Sequence, residues 1–232
     1  MDNNNIVRLD WDSNFFGLNV FVIESDDESV IEHGLNLIKE NGEAFVYVNS
    51  NIIIRDSIIN DFKGRFVGTK VIFNKVITER QRSGLIEEFN YELVPNDIMN
   101  LAIQSGEFSR FNIDERLPQG SFEKLYSKWL EKAIGNNSIR TFVYRKGSLI
   151  QGFISLELKP KKAVIGLFGV DTNVRGVGIG SLLLEEAEIF AFERGYKELF
   201  IPTQKENVLA CNFYRKHSYN IVEENKNYHF KI

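Results

Sequence analysis

Apolar and polar positions change period several times along the chain. Residues 6–9 and 20–23 read as short strands around a turn-like stretch at 11–17. In 28–41 the apolar positions Val30, Ile31, Leu35 and Ile38 follow helical spacing, and Asn41-Gly42 supplies a stop. Residues 44–48 and 66–77 read as strands, the second with Val71, Phe73 and Lys75 on one face. A second pattern starts near Tyr91. Asn96 or Asp97 can cap a helix to about Phe108, and an irregular stretch fills 109–118. Phe122, Leu125, Tyr126, Trp129, Leu130 and Ala133 then mark an amphipathic helix, with Ser121 as its expected N-cap.

The remainder alternates more tightly. Residues 140–145, 149–158 and 163–170 read as three strands joined by short turns. A glycine-rich loop leads into a helix over 180–194, closed by Gly195. A strand at 198–202, a helix over 207–217 and strands at 220–223 and 228–232 complete the chain. The expected fold class is α/β, a mixed and mostly antiparallel sheet with helices on its faces. Pattern changes divide the chain into a smaller α/β domain, 1–90, and a larger one, 91–232.

Composition narrows the field. The chain has 232 residues, with 43% hydrophobic and 26% charged, and a net charge of −4. No Lys/Arg-rich block points to nucleic acid. No apolar run reaches the roughly 18 residues that cross a bilayer. The polar, acidic Met1 to Asn5 is not a secretory signal. One cysteine, Cys211, excludes an internal disulfide framework, and a reducing cytoplasm is expected. His33, His217 and His229 are scattered, without metal-ligand spacing, so no metal is expected.

The chemistry concentrates at 171–181. Gly176, Gly178 and Gly180 alternate between a strand and a helix. Such glycines admit unusual dihedrals and close backbone approach. Successive N–H groups can converge on an anion, and the helix adds its own free N–H groups and dipole. A pyrophosphate suits that nest. The dinucleotide fingerprint fails because Ser181 stands where a sixth-position glycine belongs, and Gly180-Ser181-Leu182 is not a P-loop ending. Arg175-x-x-Gly178-x-Gly180 remains. Downstream, Asn207, Ala210, Cys211 and Tyr214 share one helix face.

These features resemble the GCN5-related N-acetyltransferases, the GNAT superfamily, over roughly 92–232. The resemblance implies acyl-CoA as co-substrate, acetyl or longer. It implies that Arg175, Gly176, Val177, Gly178, Gly180 and Ser181 hold the pyrophosphate, and that Phe168 and Val170 line the pantetheine. A bulge in their strand would free a backbone N–H for the thioester carbonyl. Asn207 would bond the pantetheine arm, and Tyr214 would protonate the leaving thiolate. A covalent route through Cys211 is disfavoured, since no activating His is adjacent. Asp12, Asp114, Glu115 and Glu157 stay open as bases. Where the family usually has a glycine after this helix, the chain has Ser218.

Two further stretches, 11–17 and Ser109-Arg110-Phe111 with Asp114, Leu117-Pro118, Tyr126 and Trp129, resemble the dTDP-fucosamine acetyltransferase group. That implies a dTDP-linked amino-deoxysugar as acceptor and an N-terminal domain that helps bind it, through Asp12, Asn14, Arg110 and Phe111. A peptide or small-molecule amine, or a non-catalytic acyl-CoA module, are the alternatives. A homodimer stays open.

Overall fold

A computed structural model describes residues 6–90 and 94–232. The border expected near Tyr91 falls at 91–93, outside the described residues, as does the segment before Ile6.

The elements in chain order are β1 (Ile6–Arg8), α1 (Asp10–Phe16), β2 (Val20–Glu24), α2 (Glu28–Glu40), β3 (Phe45–Ser50), α3 (Asp56–Asp61) and β4 (Gly64–Val76). Then follow β5 (Glu87–Glu88), α4 (Asn96–Ser105), α5 (Arg110–Ile113), α6 (Ser121–Gly135), β6 (Ile139–Lys146), β7 (Leu149–Lys159) and β8 (Lys162–Val170). A 3₁₀ turn (Thr172–Val174), α7 (Ile179–Glu193), β9 (Glu198–Gln204), α8 (Val208–Lys216) and β10 (Asn220–Lys231) complete the fold.

All ten strands join one sheet in the order β1-β2-β3-β10-β4-β9-β8-β7-β6-β5. Only β2–β3 and β8–β9 are parallel. The sheet is mixed and mostly antiparallel, with helices on its faces, as the pattern predicts. β4 lies between β9 and β10, so an early strand occupies the middle of a sheet whose neighbours come from the far end of the chain.

Strand alternation divides the core. Phe142, Ile154, Val71 and Phe73 pack beneath α7 and α8, with Leu183, Ala187, Cys211 and Tyr214. Val143 and Phe153, one residue out of step, pack on α4 and α6. Likewise Val46, Val48, Tyr228 and Phe230 meet α2 and α3, whereas Phe45 and Tyr47 meet α1 and α6. The period-2 rule sends neighbours to opposite faces, so each strand serves two cores.

Three expectations need correction. Residues 11–17 are not a turn but most of α1, closed by Gly17 at φ 66°. The two expected terminal strands are one, β10, bent by register shifts at Ile221/Glu223 and Asn227/Tyr228. Ser121 is the first residue of α6, and Gly120 takes the N-cap position at φ 73°.

Candidate active site

The strand before the glycine turn carries a bulge. Ile154 faces Phe168, but Leu156 faces Ile165, so Ser155 opposes both Gly166 and Leu167. Ser155 Oγ receives the Leu167 N–H at 2.7 Å. The extra residue shifts the alternation, and Phe168 and Val170 join Ala163 and Ile165 on the α7–α8 face.

On its other edge β8 pairs with β9 only at Ala163↔Leu199 and Val164↔Phe200, and beyond these the strands splay. The Asp171 N–H donates to Gln151 O at 2.9 Å. In an antiparallel ladder, hydrogen-bonded and non-bonded pairs alternate. Residues 171 and 169 are therefore bonded to β7, while Phe168 and Val170 turn their N–H and C=O groups toward the gap. Arg175 Nε donating to Val170 O at 3.1 Å agrees with that direction. The free donors near the bulge are thus Phe168 and Val170 N–H, not Leu167 N–H.

The turn then winds through Gly176 at φ 86° and Gly178 at φ 96° into α7. A Cβ on either glycine would meet nothing within 4 Å. Their requirement is therefore conformational, and the space before them is open, as a bound anion needs. Gly180 differs: a Cβ there would lie 3.4 Å from the Phe213 ring and 3.7 Å from Phe168. Val177 is exposed at the tip.

Helix α8 follows β9 across the splay. Asn207 Oδ1 caps it by accepting from Ala210 N–H at 3.1 Å, which leaves the side-chain NH₂ as the group able to face a ligand. Tyr214 is 6% exposed, between Phe73 at 5.3 Å and Phe168 at 6.5 Å between ring centroids. Burial raises its phenol pKa, so it carries its proton at neutral pH. Cys211 is buried, and burial raises its thiol too, which suits a packed residue better than a nucleophile.

A cavity of about 580 Å³ opens on the sheet face opposite α7. Its floor is built from registered polar side chains on interior strands. Gln204, Lys70 and Asn225 form one row across β9, β4 and β10. Asn227, Asn49 and Glu24 form another across β10, β3 and β2. Arg110 and Phe111 of α5, with Tyr126 and Trp129 of α6, form the wall. Gln204 ends the strand that borders the splay, so the cavity opens beside the gap.

Arg110 donates to Asn49 Oδ1 at 3.3 Å, and its guanidinium lies 4.5 Å from the Tyr47 ring centroid. Tyr47 Oη in turn donates to Asp12 Oδ1 at 3.4 Å. Burial raises the Asp12 pKa, against the pull of Tyr47 and Arg110. Asp12 therefore stands one layer behind the cavity. Asn14 is exposed and does not line it.

Deeper still, Asp114 accepts from Arg116 Nη2 at 2.7 Å and from His229 Nδ1 at 2.9 Å. Burial works to raise the Asp114 pKa, but these hydrogen bonds outweigh it and hold the carboxylate ionised. Burial drops His229 to about 4, with Asp114 opposing. Among the described residues, His229 Nε2 meets no hydrogen-bond partner. Of the other candidate bases, Glu157 pairs with Lys159 at 3.1 Å and Glu115 is exposed. Glu24, Asp26 and Glu223 line the cavity instead. Asp26 is already engaged, accepting from Asn51 N–H at 2.6 Å.

Sequence reasoning missed Tyr47, Asn49, Lys70, Gln204, Asn225 and Asn227. Their signal is the polar alternation Tyr47-x-Asn49 and Asn225-x-Asn227-x-His229 within interior strands, which marks a polar strip on one face. Among the described residues, no helix is long and apolar enough to cross a membrane, and no group of three or more His, Cys, Asp or Glu side chains could hold a metal ion.

Comparison with known proteins bears on the family and the fold. The acetyltransferase (GNAT) family model matches residues 102–219. A mycothiol acetyltransferase of Jonesia denitrificans is 31% identical over 81 residues, 34% of this chain and 26% of that protein. The chain thus spans about a quarter of that curated relative. Two solved structures share the fold. One, a conserved protein of unknown function from Staphylococcus epidermidis, has a TM-score of 0.62 at 11% identity, covering 92% of this chain and 84% of its own. The other, a GCN5-related N-acetyltransferase from Sphaerobacter thermophilus, has a TM-score of 0.57 at 16% identity, covering 97% and 75%.

Proposed function

Because this chain belongs to the acetyltransferase (GNAT) family, we propose that it moves an acyl group from acyl-CoA to the amine of a dTDP-linked amino-deoxysugar, by direct transfer in a ternary complex. The observation that carries this reading is the meeting of two sites at one gap. The open turn at Gly176 and Gly178 lies at the end of β8, and the polar cavity lies beside the end of β9.

Acyl-CoA supplies an activated thioester. The turn's backbone N–H groups would hold its pyrophosphate, and the outward N–H groups of Phe168 and Val170 would bond the pantetheine arm and the thioester carbonyl. The acceptor nitrogen attacks the carbonyl carbon as the carbon–sulfur bond breaks. Tyr214 gives its proton to the departing sulfur. The proton lost by the amine passes through water to a cavity carboxylate. Glu223 suits that task better than Asp26, whose oxygens already accept three hydrogen bonds.

The nucleotide-sugar half of the reading rests on the cavity. Its volume falls within the few hundred Å³ that hold a small ligand. Amide floor and aromatic wall suit hydroxyl groups and a ring, and Lys70 and Arg110 suit a diphosphate. The three carboxylates favour a second reading, a smaller cationic amine as acceptor. The similarity to a protein named for acetyl transfer makes acetyl-CoA the first donor to try.

A panel of dTDP-amino sugars, simple amines and peptides, each mixed with protein and acetyl-CoA and read by thiol release and product mass, tests the proposal. Release with an amino-sugar nucleotide supports it. Release only with simple amines or peptides replaces the acceptor. Coenzyme A binding without any release leaves a binding module.

A further inference from the structure

Helix α8 carries a histidine that neither the turn nor the acid requires. His217 lies one turn beyond Tyr214, at the C-cap of α8. Its Nδ1 is 2.8 Å from Phe213 O and its Nε2 is 2.9 Å from Ser181 Oγ. The carbonyl can only accept, so Nδ1 carries the hydrogen. In the neutral ring Nε2 is then the acceptor, and Ser181 must donate its hydroxyl hydrogen to it. Phe213 adds a second contact: its ring packs 4.3 Å from the His217 ring by centroid and covers the place where a Cβ on Gly180 would stand.

One face of α8 therefore grips the first turn of α7, through a ring against Gly180 and a hydrogen bond to Ser181. That first turn ends the proposed pyrophosphate nest. We propose that His217 is a positioning residue for the donor: by taking the Ser181 hydroxyl hydrogen, it fixes the N-terminal turn of α7 in the form whose backbone N–H groups converge on the pyrophosphate. This rests on the reading of 176–181 given above. With the hydroxyl held sideways, Ser181 meets the anion through its backbone N–H, and its side chain cannot swing round to satisfy the neighbouring donors itself. Serine hydroxyls at helix starts do make such local bonds, so an unpinned Ser181 competes with the ligand.

Coenzyme A affinity by calorimetry, and steady-state kinetics with acetyl-CoA and with acetyl-pantetheine, test this in His217→Leu, His217→Gln and Ser181→Ala. Losing one net hydrogen bond corresponds to about fivefold to tenfold. His217→Leu is expected to weaken coenzyme A binding and raise the acetyl-CoA KM by that factor, with kcat at saturation kept. His217→Gln, whose Oε1 can accept from Ser181, should recover to within about twofold. Acetyl-pantetheine lacks the pyrophosphate, and its kcat/KM should be the same in the wild type and both His217 variants. Ser181→Ala removes both the pinned donor and its competition, and adding His217→Leu to it should change nothing more.

Unchanged coenzyme A affinity in His217→Leu overturns the proposal. So does an equal loss with acetyl-pantetheine, which would make the effect one of folding or of Tyr214. If His217→Leu is recovered unfolded, a coenzyme A affinity of His217→Gln that falls well beyond twofold below the wild type overturns it instead. Absence of coenzyme A binding by the wild type would sink the underlying reading, a result separable from all of these.

Discussion

The proposed donor site at 175–181 is written in seven consecutive residues, whereas the cavity beside it takes its floor from five strands and its wall from two helices. The first needs only correct local dihedrals and a helix behind it. The second exists only when β2, β3, β10, β4 and β9 lie side by side in register. A cavity assembled across a sheet can change its ligand by changing single floor residues such as Lys70 or Asn49.

Variants should therefore separate the two regions. Gly178→Val forces a β-branched side chain into φ 96°. Coenzyme A binding should fall by a hundredfold or more, on the order of strain plus lost backbone approach; calorimetry that finds wild-type affinity would break the picture of the nest. Tyr214→Phe should lower kcat by roughly a hundredfold and leave coenzyme A affinity unaltered. Equal turnover in that variant would remove the acid.

The acceptor region should answer to pH through His229. Its folded value, about 4, lies below the ordinary 6.5, so the unfolded chain takes up the proton first. Stability from this group is full above pH 6.5 and is lost as pH falls toward 4, by roughly 2–3 kcal/mol. Denaturant midpoints across that window should fall in the wild type and flatten in His229→Gln. Arg110→Met should raise the acceptor KM by about tenfold through lost charge-assisted contacts, with the acyl-CoA KM unmoved; a shift in both would mean that the two regions are not separable. Smallest of all, Ser218 holds φ 66°, a left-handed backbone value that favours glycine. Ser218→Gly should gain about 1 kcal/mol in denaturant unfolding, by relief of left-handed strain.

How much could be read in advance follows from the same contrast. The turn from Arg175 to Ser181 into α7 was legible as local structure because turn signals are written in adjacent residues. The helix that joins Asn207 to Tyr214 was legible from its spacing, and their chemical roles stay a proposal. Helix α1 was hidden because it has only seven residues and no side-chain cap, and Trp11, Phe15 and Phe16 looked like turn aromatics. In fact Trp11 stacks on Phe15 at 5.0 Å and Phe16 on Phe111 at 6.0 Å. The α3 segment carried no pattern to read. The single strand β10 was split in two because Glu223 to Lys226 is a polar run, although it faces the cavity and solvent rather than a turn. Asn14 was placed near the acceptor by the resemblance of 11–17 to the dTDP-fucosamine acetyltransferase group, and its side chain is exposed and outside the cavity lining.

The position of β4 has a consequence for how the molecule is made. Residues 64–76 leave the ribosome well before both of their hydrogen-bonded neighbours, β9 and β10. Sheet closure must wait until β10 has been released, a topology rich in non-local pairing that slows folding. A nascent chain stalled before residue 198 should expose both edges of β4 and depend on chaperones. A synthetic peptide spanning 64–76, offered to chains deleted for that strand, should fill the vacant slot between β9 and β10.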